Sequence, residues 1–294
     1  MNWFVLFVFV NIVICAHCGE KCTTPKNETG IPPRGLCGFQ QSDDYNYKTD
    51  EISINEFPWI ARIAYQRAGE SYEEYLCTGS LIAPQYVLTA AHCISGDLKP
   101  TRVRLAEHHV FRNPDCIYDE DIGVRDCSYY IDRGIAKSIP HPDYDVQNNM
   151  HDVGLIKFNA SIRYTDYTRS ICLPSFDIPE PTVGDNLFIS AWGWKMEPDA
   201  VFLATKVKQK TSVQILSKDN CKTVQVNEGQ MCTGYNSRTE CLYEAGGPLM
   251  FSYKNKWFQE GIALSKSKNC FRRSMTLLYT KVSCYLDWIY KNMK

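Results

Sequence analysis

The sequence predicts an all-β protein, a sandwich or a barrel, closed by one C-terminal helix. Three observations carry this expectation. From Phe57 onward, short apolar runs recur between turn-forming segments, which is the spacing of strands. Only the end keeps a helical period: Val282, Leu286, Ile289 and Met293 fall at i, i+4, i+7 and i+11. No internal repeat with a period of about 20–50 residues is visible, so nothing points to a solenoid. Many short strands, few helices and a closing helix fit a sandwich or barrel.

The N-terminal run comes first in chain order. Trp3 to Ile14 are apolar apart from Asn11, about the length of a signal-peptide core and short for a membrane span. Ala16 and Cys18 are small residues spaced like positions −3 and −1 of a cleavage site. Residues 1–18 then form a signal peptide and Gly19 starts the mature chain. Cleavage after Ala16 competes, and a membrane anchor is the other reading. Cys18-Gly19-Glu20-Lys21 ends the run early, which argues against an anchor; the lack of Lys or Arg at the start departs from the signal pattern. No other stretch is long enough to span a bilayer. Residues 19–56 are polar and turn-rich, with Pro25, Gly30, Pro32-Pro33, Gly35 and Gly38 ahead of Ser42-Asp43-Asp44. They read as an extended leader rather than a domain. Strand-like runs follow at Ser80-Leu81-Ile82, Tyr86 to Thr89, Val153 to Phe158, Leu187 to Trp192, Lys206 to Leu216 and Trp257 to Leu264.

Composition bounds the function. The chain has 294 residues, with 32 Lys+Arg against 33 Asp+Glu and a formal charge of −1. That balance is too weak for a chain-wide nucleic-acid or anionic-membrane footprint. With 44% hydrophobic and 13% aromatic residues, the chain is too apolar for disorder and long enough for one or two cores. Its 14 Cys far exceed what a reduced cytosolic protein usually carries, so the expected address is secreted and extracellular. Loss of Cys15 and Cys18 with the signal peptide leaves an even twelve, whereas cleavage after Ala16 strands one thiol. Asn27-Glu28-Thr29 and Asn159-Ala160-Ser161 make Asn27 and Asn159 candidate glycosylation sites on that route.

Several motifs go further. Leu88-Thr89-Ala90-Ala91-His92-Cys93, His151-Asp152-Val153-Gly154-Leu155-Ile156 and Cys241 to Leu249 (CLYEAGGPL) follow one another in that order. They resemble the histidine motif, aspartate strand and nucleophile loop of the trypsin/chymotrypsin serine proteases. Asn55 to Trp59, Cys77 to Ile82, Ala191-Trp192-Gly193 and Tyr279 to Val282 match further landmarks. The resemblance covers about residues 50–294, the protease-like domain, and leaves 19–49 as a leader. It implies two six-stranded antiparallel barrels with the cleft between them. Arg102 to His108, Asn113 to Cys116, Cys127 and His141 to Tyr144 are similar to the clip-domain proteases of arthropod haemolymph. A complete six-Cys clip module is missing, since only Cys22 and Cys37 lie between the signal peptide and Phe57. Family pairing implies Cys77–Cys93, Cys116–Cys127, Cys37–Cys172, Cys221–Cys232 and Cys241–Cys270. Cys22 and Cys284 are left over and pair by elimination only.

Acyl transfer in this family needs a hydroxyl nucleophile, a histidine base and an orienting aspartate. His92 and Asp152 match the last two, but the nucleophile position is Ala245. Loss of the serine alone costs roughly six orders of magnitude in turnover in a comparable constellation. The oxyanion-hole glycine of the motif corresponds to Tyr243, which disfavours the backbone geometry that aims the N–H. The acidic residue that accepts the new N-terminal ammonium after activation is Glu244, one methylene longer than the family's Asp. The activation junction reads Tyr45-Asn46-Tyr47-Lys48-Thr49, without a cleavable Arg or an Ile-Val plug. Glu244 then needs another partner or a proton. The specificity pocket departs independently, with Thr239 at its base, Leu264-Ser265-Lys266 along the substrate-pairing edge and Leu277 in place of a wall glycine. No catalytic residue is expected to function, and no cofactor or metal is expected.

Other clusters invite binding readings. His108, His109, His141 and His151 suggest zinc only if the fold gathers them. Asp115, Asp119, Glu120, Asp121 and Asp126 form an acidic loop suited to calcium, a basic partner or plain solvation. Lys266, Lys268, Arg272 and Arg273 bracket Cys270 as a docking patch for an acidic partner, or as ordinary surface charge. Arg34 offers a trypsin-like cut in the leader, with Cys37 retaining the piece. The leading expectation is a secreted, inactive protease homologue acting as cofactor or decoy in an extracellular immune cascade, with active cascade proteases or their substrates as partners. A microbial-surface or matrix recognition module is the second reading. A residual serine-type endopeptidase, using Ser190, Ser265 or Ser267, is the third.

Overall fold

Antiparallel hairpins curl the chain into two closed six-stranded barrels. The computed structural model describes residues 35–40, 52–119, 123–196, 202–221, 225–235, 240–242, 244–264 and 275–293. The first half runs through β1 (Ile60–Tyr65), β2 (Glu74–Ala83), β3 (Tyr86–Thr89), the one-turn α1 (His92–Ser95) and β4 (Pro100–Leu105). A hairpin of β5 (Asp115–Asp119) and β6 (Val124–Ser128) stands outside the barrel, and β7 (Ile131–Pro140) and β8 (Gly154–Phe158) complete it in the order β1-β2-β3-β8-β7-β4. The second half adds β9 (Asn186–Ala191), β10 (Trp194–Met196), β11 (Phe202–Ala204), β12 (Gln209–Ile215), β13 (Gln230–Tyr235) and β14 (Glu240–Cys241). It ends with β15 (Pro248–Tyr253), β16 (Lys256–Ala263) and β17 (Met275–Lys281). Its barrel closes as β12-β13-β17-β16-β15-β9, with β11-β10-β14 as a separate small sheet.

Closure explains why some strands are apolar along their whole length. Tyr86, Val87, Leu88 and Thr89 of β3 are all buried, because one face lines the barrel and the other is covered by neighbouring segments. The two barrels meet across an aromatic seam. Trp59 from β1's approach packs against Phe57 and Trp257, at centroid distances of 5.9 and 6.4 Å, and its indole N–H donates to Met250 Sδ at 3.0 Å. Ser80 of β2 hydrogen-bonds Gln259 of β16 across the same seam, both fully buried. Satisfied pairs of this kind avoid the penalty of an unpaired buried polar group.

The C-terminal helix differs in its first turn. Val282–Tyr285 wind as a 3-10 turn, and the α-helix α2 spans Leu286–Asn292. Val282 follows directly on β17, whose Lys281 is still extended and donates its N–H to Gly229 O at 2.8 Å. The tighter winding carries the chain off the strand end before the helix proper. The periodic residues nevertheless do what periodicity implies: Val282, Leu286, Ile289 and Met293 are all buried.

Residues 35–40 dock on the second barrel through the Cys37–Cys172 disulfide. Gly38 adopts φ 71°, its N–H reaches Ser170 O at 2.7 Å, and its carbonyl accepts from Trp257 N at 2.9 Å. A Cβ there would sit 2.6 Å from Trp257 O, so only glycine fits.

Trp59→Ala should lower the unfolding free energy by about 3–5 kcal/mol, read from denaturant midpoints. Phe111→Ala, at a 76% exposed site, should shift it by less than about 0.5 kcal/mol.

Candidate functional site

The first barrel supplies a histidine and an aspartate at its rim. His92 opens α1, directly after β3, and Asp152 precedes β8, the strand that pairs with β3. Register therefore places them side by side. Asp152 is fully buried, and its two oxygens are both engaged by His92: Oδ2 lies 2.7 Å from Nδ1 and Oδ1 accepts the backbone N–H at 2.9 Å. Thr280 of the second barrel donates its hydroxyl to the Asp152 carbonyl at 3.0 Å. Burial first, and Asp152 second, push the Tyr144 and Tyr285 phenols up to about 12. An imidazole oriented through Nδ1 can accept a proton at Nε2.

The second barrel brings Ala245 to the same place. Its carbonyl accepts from Thr78 N at 2.8 Å and from Thr78 Oγ1 at 3.3 Å. Thr78 adjoins Cys77, whose disulfide to Cys93 holds the residue after His92. The next residue, Gly246, adopts φ 77°, and a Cβ there would lie 2.3 Å from Thr89 Oγ1 and 2.4 Å from Thr78 O. The loop is thus pressed onto the strand that leads to His92. Ala245 is buried and presents a methyl group. A base and its orienting carboxylate are present there, with no hydroxyl or thiol on residue 245.

Glu244 meets a charge that the sequence reading did not anticipate. Burial lowers the Arg62 pKa, and the Glu244 carboxylate opposes this most strongly, ahead of Glu107. Arg62 lies on β1, opposite Thr78 in the β1–β2 register. Its guanidinium stacks 4.2 Å from the Tyr75 ring centroid and 5.0 Å from that of Trp192. The cavity beside Glu244, lined with Ile189, Ser190, Leu242 and Ala263, has a volume of about 10 Å³, room for at most one water. The available signal was a lone Arg in the otherwise apolar run Trp59-Ile60-Ala61-Arg62-Ile63-Ala64.

Leu264 is buried and its N–H donates to Leu278 O at 3.1 Å. Leu277 on β17 is 1% exposed and packs in the second-barrel core with Leu242, Leu249 and Ala263. Tyr243, Thr239, Lys266, Lys268, Arg272, Arg273 and Asn27 lie outside the described residues, as do the signal segment and most of the leader. Asn159 is exposed. Disulfides join Cys37–Cys172, Cys77–Cys93, Cys116–Cys127 and Cys221–Cys232. Cys284 is also disulfide-bonded, while Cys22 and Cys270 fall outside the described residues.

The remaining clusters are used internally. His141 stacks on His151 at 5.1 Å and packs against Tyr285 and Trp288, while His109 bridges to Val207. Among the described residues, Cys77, His92 and Cys93 bring their ligand atoms together, but the two sulfurs are already joined. In the acidic loop, Asp115 accepts the N–H groups of His108 and His109 at 3.1 and 2.9 Å, and Asp126 accepts from Tyr167.

Comparison with known proteins fits this geometry. The trypsin family model matches residues 47–289. Phenoloxidase-activating factor 1 of Holotrichia diomphalia is 34% identical, over 88% of this chain and 72% of its own length. CLIP domain-containing serine protease B8 of Anopheles gambiae is 36% identical, over 95% and 76%. The crystal structure of the Drosophila Grass clip serine protease of the Toll pathway superposes with a TM-score of 0.74 at 27% identity, covering 91% of this chain and 76% of that one. Among the described residues, no helix is long and apolar enough to cross a membrane.

Two measurements test the electrostatics. Arg62→Met should destabilise the fold by about 1–3 kcal/mol, and a cycle with Glu244→Gln should show coupling, because the second change removes the charge the first exposes. Strict additivity would show that the two groups do not interact. Burial, helped by Lys208, lowers His108 to about 3 from 6.5. Stability is then complete above pH 6.5 and lost as pH falls toward 3, so His108→Gln should flatten the acid limb of Tm against pH.

Proposed function

The chain belongs to the trypsin family, and on that premise we propose that it is a secreted, catalytically inactive protease homologue that works by binding. Its role is that of a cofactor or decoy in an extracellular proteolytic immune cascade, with cascade proteases or their substrates as partners. The observation that carries this reading is Ala245, seated where the family has serine, beside a retained His92–Asp152 pair. A methyl group cannot attack a carbonyl, so the base has nothing to activate.

Further features support it. Tyr243, Thr239 and Lys266 replace residues that the family uses for the oxyanion hole and substrate edge. Leu264 and Leu277 fill core space where a substrate-accepting homologue has a hydroxyl and a glycine. Glu244 faces Arg62 beside a cavity too small for an aliphatic N-terminal plug. In this reading residues 1–18 are a signal peptide, 19–49 a disulfide-tethered leader without a complete clip module, and 50–294 the homologue domain. Cys22–Cys284 and Cys241–Cys270 complete six bridges, and Asn27 and the exposed Asn159 carry glycans. The names of the relatives, a phenoloxidase-activating factor and clip-domain proteases, give the cascade context.

A second reading, recognition of a microbial surface, has one observation in its favour. A cavity of about 550 Å³ is lined with Gln147, Asn148, Asn149, Gln225 and Asn227, together with Glu228, Met150 and Leu278, and its amide donors and acceptors suit a hydroxyl-rich ligand. Retention of the mature chain on microbial glycans but not on cascade proteins would favour it.

The purified mature chain should turn over no peptide substrate and resist labelling by serine-directed reagents. Turnover abolished by such a reagent would overturn the proposal. Ala245→Ser should remain at least about 10²–10³-fold below a competent relative, since one lost oxyanion donor alone costs that much.

A further inference from the structure

A second polar site lies away from His92, on the outer side of the second barrel. Its cavity has a volume of about 310 Å³, formed between the 174–180 segment, β15, β16 and the 3-10 turn before α2. This is the lower end of the range for small-ligand pockets. A β-bulge sets its geometry: Met250 pairs with Gln259 and Leu249 with Gly261, so Glu260 is the extra residue on β16 and has no partner on β15. Gln259 bonds Ser80 across the seam, while Glu260 lines the cavity. Glu260 is 1% exposed, and its Oε1 has no hydrogen-bond partner; the same is true of Ser283 Oγ, on a 6% exposed residue. Pro174, Phe176, Ile178, Pro179 and Phe251 form an apolar wall, Ser175 and Glu180 complete the lining, and Phe176 is 68% exposed.

A buried carboxyl oxygen and a buried hydroxyl left unpartnered are costly unless something donates to them. The charged groups around Glu260 do not supply it. Lys281 on β17 pairs with Glu180 of the 174–180 segment. Burial pushes Glu260 up to about 8, with Lys281 lowering it and Glu180 raising it. At neutral pH the acid holds its proton.

We propose that the cavity walled by Pro174, Phe176, Pro179, Phe251, Glu260 and Ser283 is a binding site for an aliphatic chain ending in an ammonium or guanidinium group. The chain lies along the proline and phenylalanine walls, and the cationic head donates to Glu260 Oε1 and Ser283 Oγ. Pairing with the cation favours the carboxylate, so the Glu260 proton leaves to solvent as the guest enters. The site shares no residue with the His92 cleft and does not depend on whether that cleft is inactive. A free amine and a lysine or arginine side chain of another protein present the same head.

Titration calorimetry of the full mature chain with n-pentylamine, in two buffers of different ionisation enthalpy, tests this directly. One saturable site should release close to one proton per amine at pH 7. Its affinity should rise about tenfold per pH unit from 6 toward 8. Glu260→Gln, which keeps the shape and neutrality of the protonated acid, should preserve the fold, abolish proton release and weaken binding at least tenfold. n-Pentanol should bind more weakly and without proton release. An acetylated, amidated tripeptide with a central lysine, compared with its acetyl-lysine form, identifies a protein side chain as a guest if only the former binds. No saturable binding, equal affinity for pentanol, or proton release surviving in Glu260→Gln would overturn the proposal.

Discussion

Everything at the candidate site depends on one packing contact, the seam where the two barrels close on each other. His92 and Asp152 belong to the first barrel, Ala245 and Thr280 to the second. Neither half would be a site alone. Trp59, Met250 and Trp257 supply the apolar contact, and Ser80 with Gln259 supplies a buried polar pair that fixes the register. A polar pair in such a seam is directional where hydrophobic burial is not, so sliding one barrel against the other would strand both groups. The Thr78 bonds to Ala245 and the Thr280 bond to Asp152 are consequences of that alignment.

The same alignment holds a histidine–aspartate pair for reasons that do not involve residue 245. Asp152 is wholly buried, and its carboxylate oxygens accept from the backbone and ring of His92. Removing His92 would leave the buried Asp152 carboxylate short of donors, a penalty independent of catalysis. Position 245 carries no such obligation, because a buried methyl leaves nothing unsatisfied. Structural duty and chemical duty therefore separate cleanly among three neighbouring residues.

Much of this was legible in the chain before any coordinates. Tyr86 to Thr89 is β3 to the residue, and the runs at Val153, Leu187 and Trp257 fall within a residue or two of β8, β9 and β16, because short apolar runs between turns report strand burial locally. The dyad was legible because motif order and spacing carried it. Arg62 was not, since its relation to Glu244 spans two barrels and no spacing along the chain encodes it. Glu260 was equally hidden: in sequence it is one more acid beside a Gln and a Gly, and only tertiary burial makes it an unpartnered group. The acidic loop shows the converse. Its composition left calcium, a basic partner or plain solvation open, whereas Asp115 and Asp126 hydrogen-bond within the fold to His108, His109 and Tyr167.

Leu277 gives the fold a direction in evolutionary time. Its side chain completes the second-barrel core, and shrinking a fully buried leucine to a small residue typically costs about 2–5 kcal/mol. That is a large share of a domain's net stability of roughly 5–15 kcal/mol. A hydroxyl could be introduced at position 245 with little disturbance, yet opening space at 277 would first weaken the fold. Selection for folding alone then acts as a ratchet that holds a large apolar side chain at 277.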